Sequence, residues 1–307
     1  MTGGAGFIGS HLTERLVEAG AQVRVLDNLS SGNEKNLSAV RQLVDFHRAD
    51  LRDASAVDLA VSGCEVVFHL GANACVPKSV EDRACDFSTN TVGSFHVADA
   101  VIRHRVRRLV YVSTAAVYGP PRTVPVSEEA PCEPISPYGG SKLAADRLLI
   151  SYARTFGFEL ALLRLFNTYG PRQPRYVIHD LIRKLQADPT RLEVLGSGEQ
   201  RRDYCYIADT VEALLLAATT PAPSPLVLNV SGGRTISIRE LTGLLLQTLG
   251  LTETEVHFGQ PSWKGDIDVL SGDISRLRAL GWCPRVDLPE GLGRTAAYFL
   301  GRDGIRR

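Results

Sequence analysis

The sequence predicts an α/β protein, with a doubly wound parallel sheet and a smaller C-terminal lobe. In its first half, short Val/Leu-rich runs alternate with longer segments of helical period. That rhythm builds a parallel sheet covered by helices on both faces. The chain also opens on a glycine-rich turn that runs straight into a helix, the geometry of a phosphate-binding helix N-terminus. Finally, 307 residues exceed one typical domain, and strand signals thin out in the second half.

Taken in order, the strand candidates are Gln22–Asp27, Asp45–Arg48, Val66–Leu70, Arg108–Ser113 and Glu159–Leu165. Apart from Asp45–Arg48, each is a short, mainly apolar run. Helical periodicity marks Ser10–Ala19, Ala54–Ala60, Thr89–His104 and Tyr138–Thr155, and later Arg239–Leu249 and Ile274–Leu280. Pro221, Pro223 and Pro225 mark a loop near a return between lobes. Only Met1 and Thr2 precede Gly3. A dinucleotide-binding unit needs a strand there, so the expectation is a native start several residues upstream.

Composition narrows the function. Lys+Arg and Asp+Glu both number 34, so no global basic field points to nucleic acid or anionic lipid. No run of about 18 apolar residues predicts a membrane span. The cysteines Cys64, Cys75, Cys85, Cys132, Cys205 and Cys283 are scattered without a Cys-x-x-Cys pair. That predicts free thiols in a reducing, cytoplasmic setting, and no metal site.

Gly3, Gly6 and Gly9 share a G-x-x-G-x-x-G spacing, with Phe7 and Ile8 opening the helix between them. Glycine permits a tight turn and close approach of a pyrophosphate, which the helix N-terminus then attracts. The next strand ends in Asp27, beside Asn28. A carboxylate there accepts from the adenosine ribose hydroxyls and repels a 2′-phosphate, favouring NAD over NADP. Asp50, next to Leu51, is either an adenine contact or a helix N-cap. Leu70 and Ala72, at the end of the third strand, complete the expected cofactor set.

Tyr138 and Lys142 lie four apart, on one face of a helix. A phenol near pKa ~10 is a poor base at neutral pH. The ammonium and the positive nicotinamide of NAD are expected to lower it, letting Tyr138 take a proton from a sugar hydroxyl. Thr114, at the end of a parallel strand, is placed to orient that hydroxyl.

Five motifs carry a resemblance: TGGAGFIGSHL from Thr2, VSTAAVYG from Val112, SPYGGSK from Ser136, LFNTYGPRQ from Leu165 and GEQRRDY from Gly198. The chain resembles the extended short-chain dehydrogenase/reductase family, in its nucleotide-sugar epimerase/dehydratase branch. That resemblance implies a Rossmann domain over 1–166 and about 204–232. It implies a nucleotide-sugar-binding lobe over about 167–203 and 233–307, and a homodimer formed through two helices per subunit. It assigns Thr114, Tyr138 and Lys142 as the catalytic triad. Ser79, Asn90, Asn167 and Arg202 are expected near the substrate, with Arg202 clasping the diphosphate. Arg202 also admits a reading as a surface ion pair with Asp203 or Glu199.

Within the resembling branch, dehydratases and decarboxylases carry an acid after the Ser-Thr pair. Here Ala115 and Ala116 stand there, and alanine moves no proton. That favours a 4-epimerase on a UDP-hexose such as UDP-glucose, UDP-N-acetylglucosamine or UDP-glucuronate. A dehydratase, decarboxylase or 4-keto-reductase is the alternative, and a non-enzymatic sensor a third. Two departures bear on the substrate. Trp263-Lys264-Gly265-Asp266 replaces Arg-x-Gly-Asp, so Lys264 supplies the charge or Trp263 stacks on the ligand, with Asp266 retained. The loop at Gln173–Val177 is short. Its Arg175 and Tyr176 either reach a nucleotide or acidic sugar, or are solvated loop residues. Leu270, at the family's gate position, is of intermediate size.

Overall fold

The computed structural model describes residues 1–260 and 268–301. The first half contains α1 (Phe7–Glu18), β1 (Val23–Leu26), β2 (Val44–His47), α2 (Ala54–Val61), β3 (Val66–His69), α3 (Val76–Glu81), α4 (Arg83–Phe87), α5 (Gly93–Arg103), β4 (Arg108–Thr114), α6 (Pro137–Phe156) and β5 (Glu159–Leu165). There follow β6 (Asn167–Tyr169), α7 (Val177–Ala187), β7 (Arg191–Leu195), β8 (Arg201–Tyr206), α8 (Ile207–Thr219) and β9 (Leu226–Val230). Last come β10 (Thr235–Ser237), α9 (Ile238–Leu249), β11 (Glu255–Gln260), β12 (Val269–Leu270), α10 (Ser275–Ala279) and α11 (Leu288–Leu300).

The first group builds the parallel α/β sheet that the alternating pattern predicts. β1 pairs with β2, and β3, β4, β5 and β9 run side by side, all parallel. Thr2 joins the two sets, bridging Leu26 on one side and His69 on the other. The order is therefore β2-β1-Thr2-β3-β4-β5-β9. Met1 and Thr2 alone occupy the line between β1 and β3. Their backbone bonds are complete: Leu26 N–H donates to Met1 C=O at 2.8 Å and Thr2 N–H to Phe68 C=O at 2.9 Å.

Burial follows from covering both faces. Leu109, Val110 and Tyr111 of β4 are fully buried, so consecutive residues are apolar rather than alternating. Each such Leu or Val contributes roughly 1.5–3 kcal/mol relative to exposure. Helices α2, α5 and α6 pack together, while α1 packs on α8. The long α6 begins with Ser136 capping the Gly139 N–H and Pro137 in its first turn, and it stops at left-handed Gly157.

The second group forms around β8, which pairs parallel with β6 and β12 and antiparallel with β10. A separate parallel pair joins β7 to β11. Most of these strands, and α3, α7, α8 and α11, were not legible from periodicity, because they are short or buried on several sides. The boundaries of α1 and β2 differ from expectation by only a few residues. The expected helix over 89–104 is interrupted: Ser88–Val92 is a π-turn, and α5 proper starts at Gly93.

His69 sits inside this framework, 1% exposed. Its Nδ1 faces the Thr2 hydroxyl at 2.7 Å and its Nε2 the Ser94 hydroxyl at 2.9 Å. Ser94 spends its own proton on the Asn90 carbonyl, so Nε2 carries the hydrogen and the ring is neutral. Burial pushes its pKa down to about 3, with the Lys142 charge acting in the same direction. The unfolded chain protonates first as pH falls below about 6.5, so His69 withdraws stability progressively from there toward pH 3. By pH 5 the loss is about 2 kcal/mol. Urea unfolding of wild type and His69→Gln at pH 5 and 7.5 should show a shallower pH dependence in the variant.

Candidate active site

A single cleft of about 1200 Å³ runs over the C-terminal ends of the parallel strands. Such switch points are where open α/β sheets bind ligands. Single-ligand clefts span roughly 300–1,000 Å³, so this one has room for two ligands end to end.

At one end, Gly3, Gly6, Phe7, Ile8 and Gly9 line the wall. Gly3 is left-handed at φ 70°, and a Cβ there would lie 2.7 Å from the Gly71 nitrogen. A Cβ on Gly9 would overlap the Gly3 carbonyl. Only glycine lets the helix start this close to the turn. No side chain caps α1, so its first N–H groups are available to an anion at the cleft. Asp27 directly follows β1 and also lines the cleft. Its two oxygens accept Ala5 N–H at 2.9 Å and Leu29 N–H at 2.8 Å, which fixes the carboxylate while leaving lone pairs for hydroxyl donors. Asn28, Asp50, Leu51, Leu70 and Ala72 line the same end. Asp50 is held by a two-pronged Arg52 bond and by Asn28, and Arg52 keeps it well below the usual carboxylate range. Arg24, inside β1, is turned to Asp45 and to the carbonyls closing α2. An uncapped helix end, a fixed carboxylate and a long cleft fit a dinucleotide.

At the middle of the cleft, Thr114, Ala115, Ala116, Tyr138 and Lys142 come together. Lys142 is 3% exposed. Its ammonium donates to the Val112 carbonyl at 2.8 Å and lies 4.2 Å from the centre of the Tyr111 ring. Burial pushes its pKa down to about 8, against the pull of Asp146 and Asp86. The phenol of Tyr138 departs from expectation: its pKa is raised, not lowered. Burial dominates, helped by the neighbouring Tyr176, and the Thr114 hydrogen bond and the Arg175 charge offset only part of it. The protein's own charges do not make this phenol a base.

Two expected substrate residues lie behind the wall rather than on it. Ser79 is fully buried, accepting the Tyr138 N–H at 3.1 Å and donating to the Val76 carbonyl. Asn90 is 1% exposed on the π-turn, bonded to Asn73, Asp86 and Ser141. Neither has surface left for a ligand. Asn167, Arg175 and Arg202 do line the cleft, with Leu270 opposite. Arg202 donates to the carbonyls of Arg201 and Asp268; Glu199 pairs instead with Arg239. Trp263, Lys264 and Asp266 lie outside the described residues.

Several neighbours went unseen in the sequence. Asp146, fully buried one turn beyond Lys142, pairs with buried Arg164 at 3.3 Å. The i,i+4 spacing from Lys142 was the available signal. Asp86 accepts a 2.6 Å bond from Ser141, and burial raises its pKa. Lys184, Gln200, Val194 and Leu195 extend the cleft away from the turn. A strap over 171–176 crosses the mouth, where the Tyr176 hydroxyl donates to the Ala74 carbonyl at 3.0 Å. Tyr176 adopts φ 75°, ψ 171°, a region that costs a non-glycine residue of order 1–3 kcal/mol.

The NAD dependent epimerase/dehydratase family matches residues 1–231. A UDP-glucose 4-epimerase of Mycolicibacterium smegmatis is 36% identical over 309 residues, 97% of each chain. A dTDP-glucose 4,6-dehydratase of Streptomyces griseus is 35% identical over 308 residues, 97% of this chain and 93% of that one. The solved UDP-glucose 4-epimerase of Thermotoga maritima with UDP-glucose superposes with a TM-score of 0.90 at 36% identity, covering 97% of each. The chain belongs to the NAD-dependent epimerase/dehydratase family.

Asp146→Ala leaves the buried Arg164 guanidinium without its carboxylate. Removing one partner of a buried pair costs roughly 3–5 kcal/mol, a loss that urea denaturation at neutral pH should register.

Proposed function

We propose that this family member is a nucleotide-sugar 4-epimerase acting on a UDP-hexose, with UDP-glucose, UDP-N-acetylglucosamine and UDP-glucuronate as the candidate substrates. The observation that carries this reading is the wall beside Thr114. Ala115 and Ala116 line the cleft there, and neither can move a proton. The carboxylates that line the cleft among the described residues are Asp27, Asp50 and Asp180. The first two belong to the cofactor end, and Asp180 pairs with Lys184 at 2.9 Å. Elimination across C5 and C6 needs an acid or base beside the sugar that this wall does not offer. Oxidation and re-reduction at C4 need only the group that exchanges the hydroxyl proton.

Gly3, Gly6, Phe7, Ile8 and Gly9 would hold the NAD pyrophosphate and Asp27 its adenosine ribose. Bound NAD supplies the reversible two-electron acceptor and a positive charge beside the Tyr138 phenol. Tyr138 takes the C4-hydroxyl proton and later returns it. Thr114 orients that hydroxyl, and its bond to the phenol steadies the phenolate. Lys142, fixed by the Val112 carbonyl, adds the ammonium that favours the ionised phenol. Asn167 and Arg202 would hold the diphosphate, about which the keto sugar turns to present its other face. Arg175, which lines the cleft within reach of the Tyr138 phenol's electrostatics, would meet the nucleotide or an acidic sugar.

The second reading, a dTDP-sugar 4,6-dehydratase, is favoured by relatives such as those of Streptomyces griseus and Actinoplanes. The implied homodimer would pair α5 and α6, where Phe95 and Phe156 are exposed at 39% and 55%.

Proton NMR of the protein with NAD and each UDP-sugar should show a new anomeric signal for the C4 epimer without net NADH. A 4-keto-6-deoxy product, or no change with any of the three, overturns the assignment. Tyr138→Phe should lose about 10²–10⁴-fold in turnover while still binding NAD, as isothermal titration would report.

A further inference from the structure

A belt of chain closes around the front of α1. Arg172 grips Glu14 of α1 with two bonds, at 2.7 and 2.9 Å, and also donates to Ser10. His11 joins the Pro171 carbonyl at 3.0 Å. These contacts fasten the base of the 171–176 strap to α1. At the other end, Tyr176 reaches the Ala74 carbonyl. Ala74 belongs to the loop after β3, which is fixed in turn: Gly71 N–H donates to the Thr2 hydroxyl at 3.1 Å and Asn73 N–H to Asn90 at 2.8 Å. Thr2 leads through Gly3 back into α1. The circuit is complete, and Gly6, Phe7, Ile8, Ala72 and Tyr176 all face the cleft it encloses.

The links differ in strength. Arg172 and Glu14 are each 18% exposed and doubly bonded, and Asn90 is buried. The Tyr176–Ala74 link is one hydrogen bond from a residue 57% exposed. It is made from a backbone conformation that a non-glycine residue resists. The belt therefore has one weak point, and it lies over the cleft.

We propose that Tyr176 is a positioning residue of the cofactor site: its bond to Ala74 is a releasable clasp that keeps NAD from exchanging between turnovers. The clasp rests on the reading of the glycine turn as the NAD site. A dinucleotide seated with its pyrophosphate at Gly6–Ile8 is threaded through the belt. It leaves when the clasp opens, because the other links stay shut. An enzyme that regenerates its own NAD gains from a clasp that opens rarely.

The test is cofactor exchange without substrate. Protein loaded with NAD is diluted into excess deuterated NAD, and bound dinucleotide is followed by mass spectrometry. Tyr176→Phe, which deletes only the hydroxyl, should exchange about tenfold faster than wild type, the effect of one hydrogen bond. Its ligand-free thermal midpoint should stay at the wild-type value. Tyr176→Gly, which also relieves the backbone, should exchange at least as fast. Wild-type exchange rates in both variants overturn the clasp. Failure of the wild type to hold NAD removes the cofactor-site reading itself and the clasp with it. Since no sugar is present, the outcome is independent of whether NMR finds a 4-epimer.

Discussion

The arrangement turns on one ammonium kept out of water. Lys142 is buried on α6 against the inner strand β4, and a buried cation loses hydration that must be replaced by fixed partners. The Val112 carbonyl, the face of Tyr111 and the carboxylates of Asp146 and Asp86 provide them. Each partner imposes a further requirement. Asp146 needs Arg164, and Arg164 in turn donates to the Tyr118 hydroxyl and the Glu128 carbonyl. Asp86 needs Ser141 and Asn90. The buried ammonium is thus tied to β4, β5, α6 and the π-turn at once, and a shift in any of them reaches it.

This dependence explains what could be read from the chain alone. The glycine spacing, the acidic end of β1, Thr114 and the Tyr138–Lys142 pair are local signals, each set by a few neighbouring positions, and the structure brings all of them to one cleft. Asp86, Asp146 and Arg164 act through contacts made far apart in sequence, which no window of a dozen residues contains. Ser79 and Asn90 show the opposite error. Ser79 accepts the Tyr138 N–H and Asn90 donates to Ser141, yet hydrogen bonding to the backbone and to Asp86 leaves them none of the cleft surface.

The phenol's raised pKa has the same origin. Spacing predicts that Lys142 shares a helix face with Tyr138, and both line the cleft. It does not predict how much water the fold removes from the phenol, which is the larger effect here. Under the proposed function, such a phenol would need the added positive charge of bound NAD to act as a base, which would couple proton transfer to cofactor occupancy.

The π-turn at Ser88–Val92 has a consequence for how the chain can change. It inserts one residue more than a regular helix would use, and so sets the angular phase between α4 and α5. Asp86 and Asn90 fall on one side of the offset and Ser94 and Val97 on the other, all buried. Deleting a single residue there would restore a regular helix and turn one set by about 100° against the other. Substitutions can drift through this segment outside Asn90, but a change in its length cannot, so across descendants of this chain the 88–92 interval should keep Asn90 and hold constant in count.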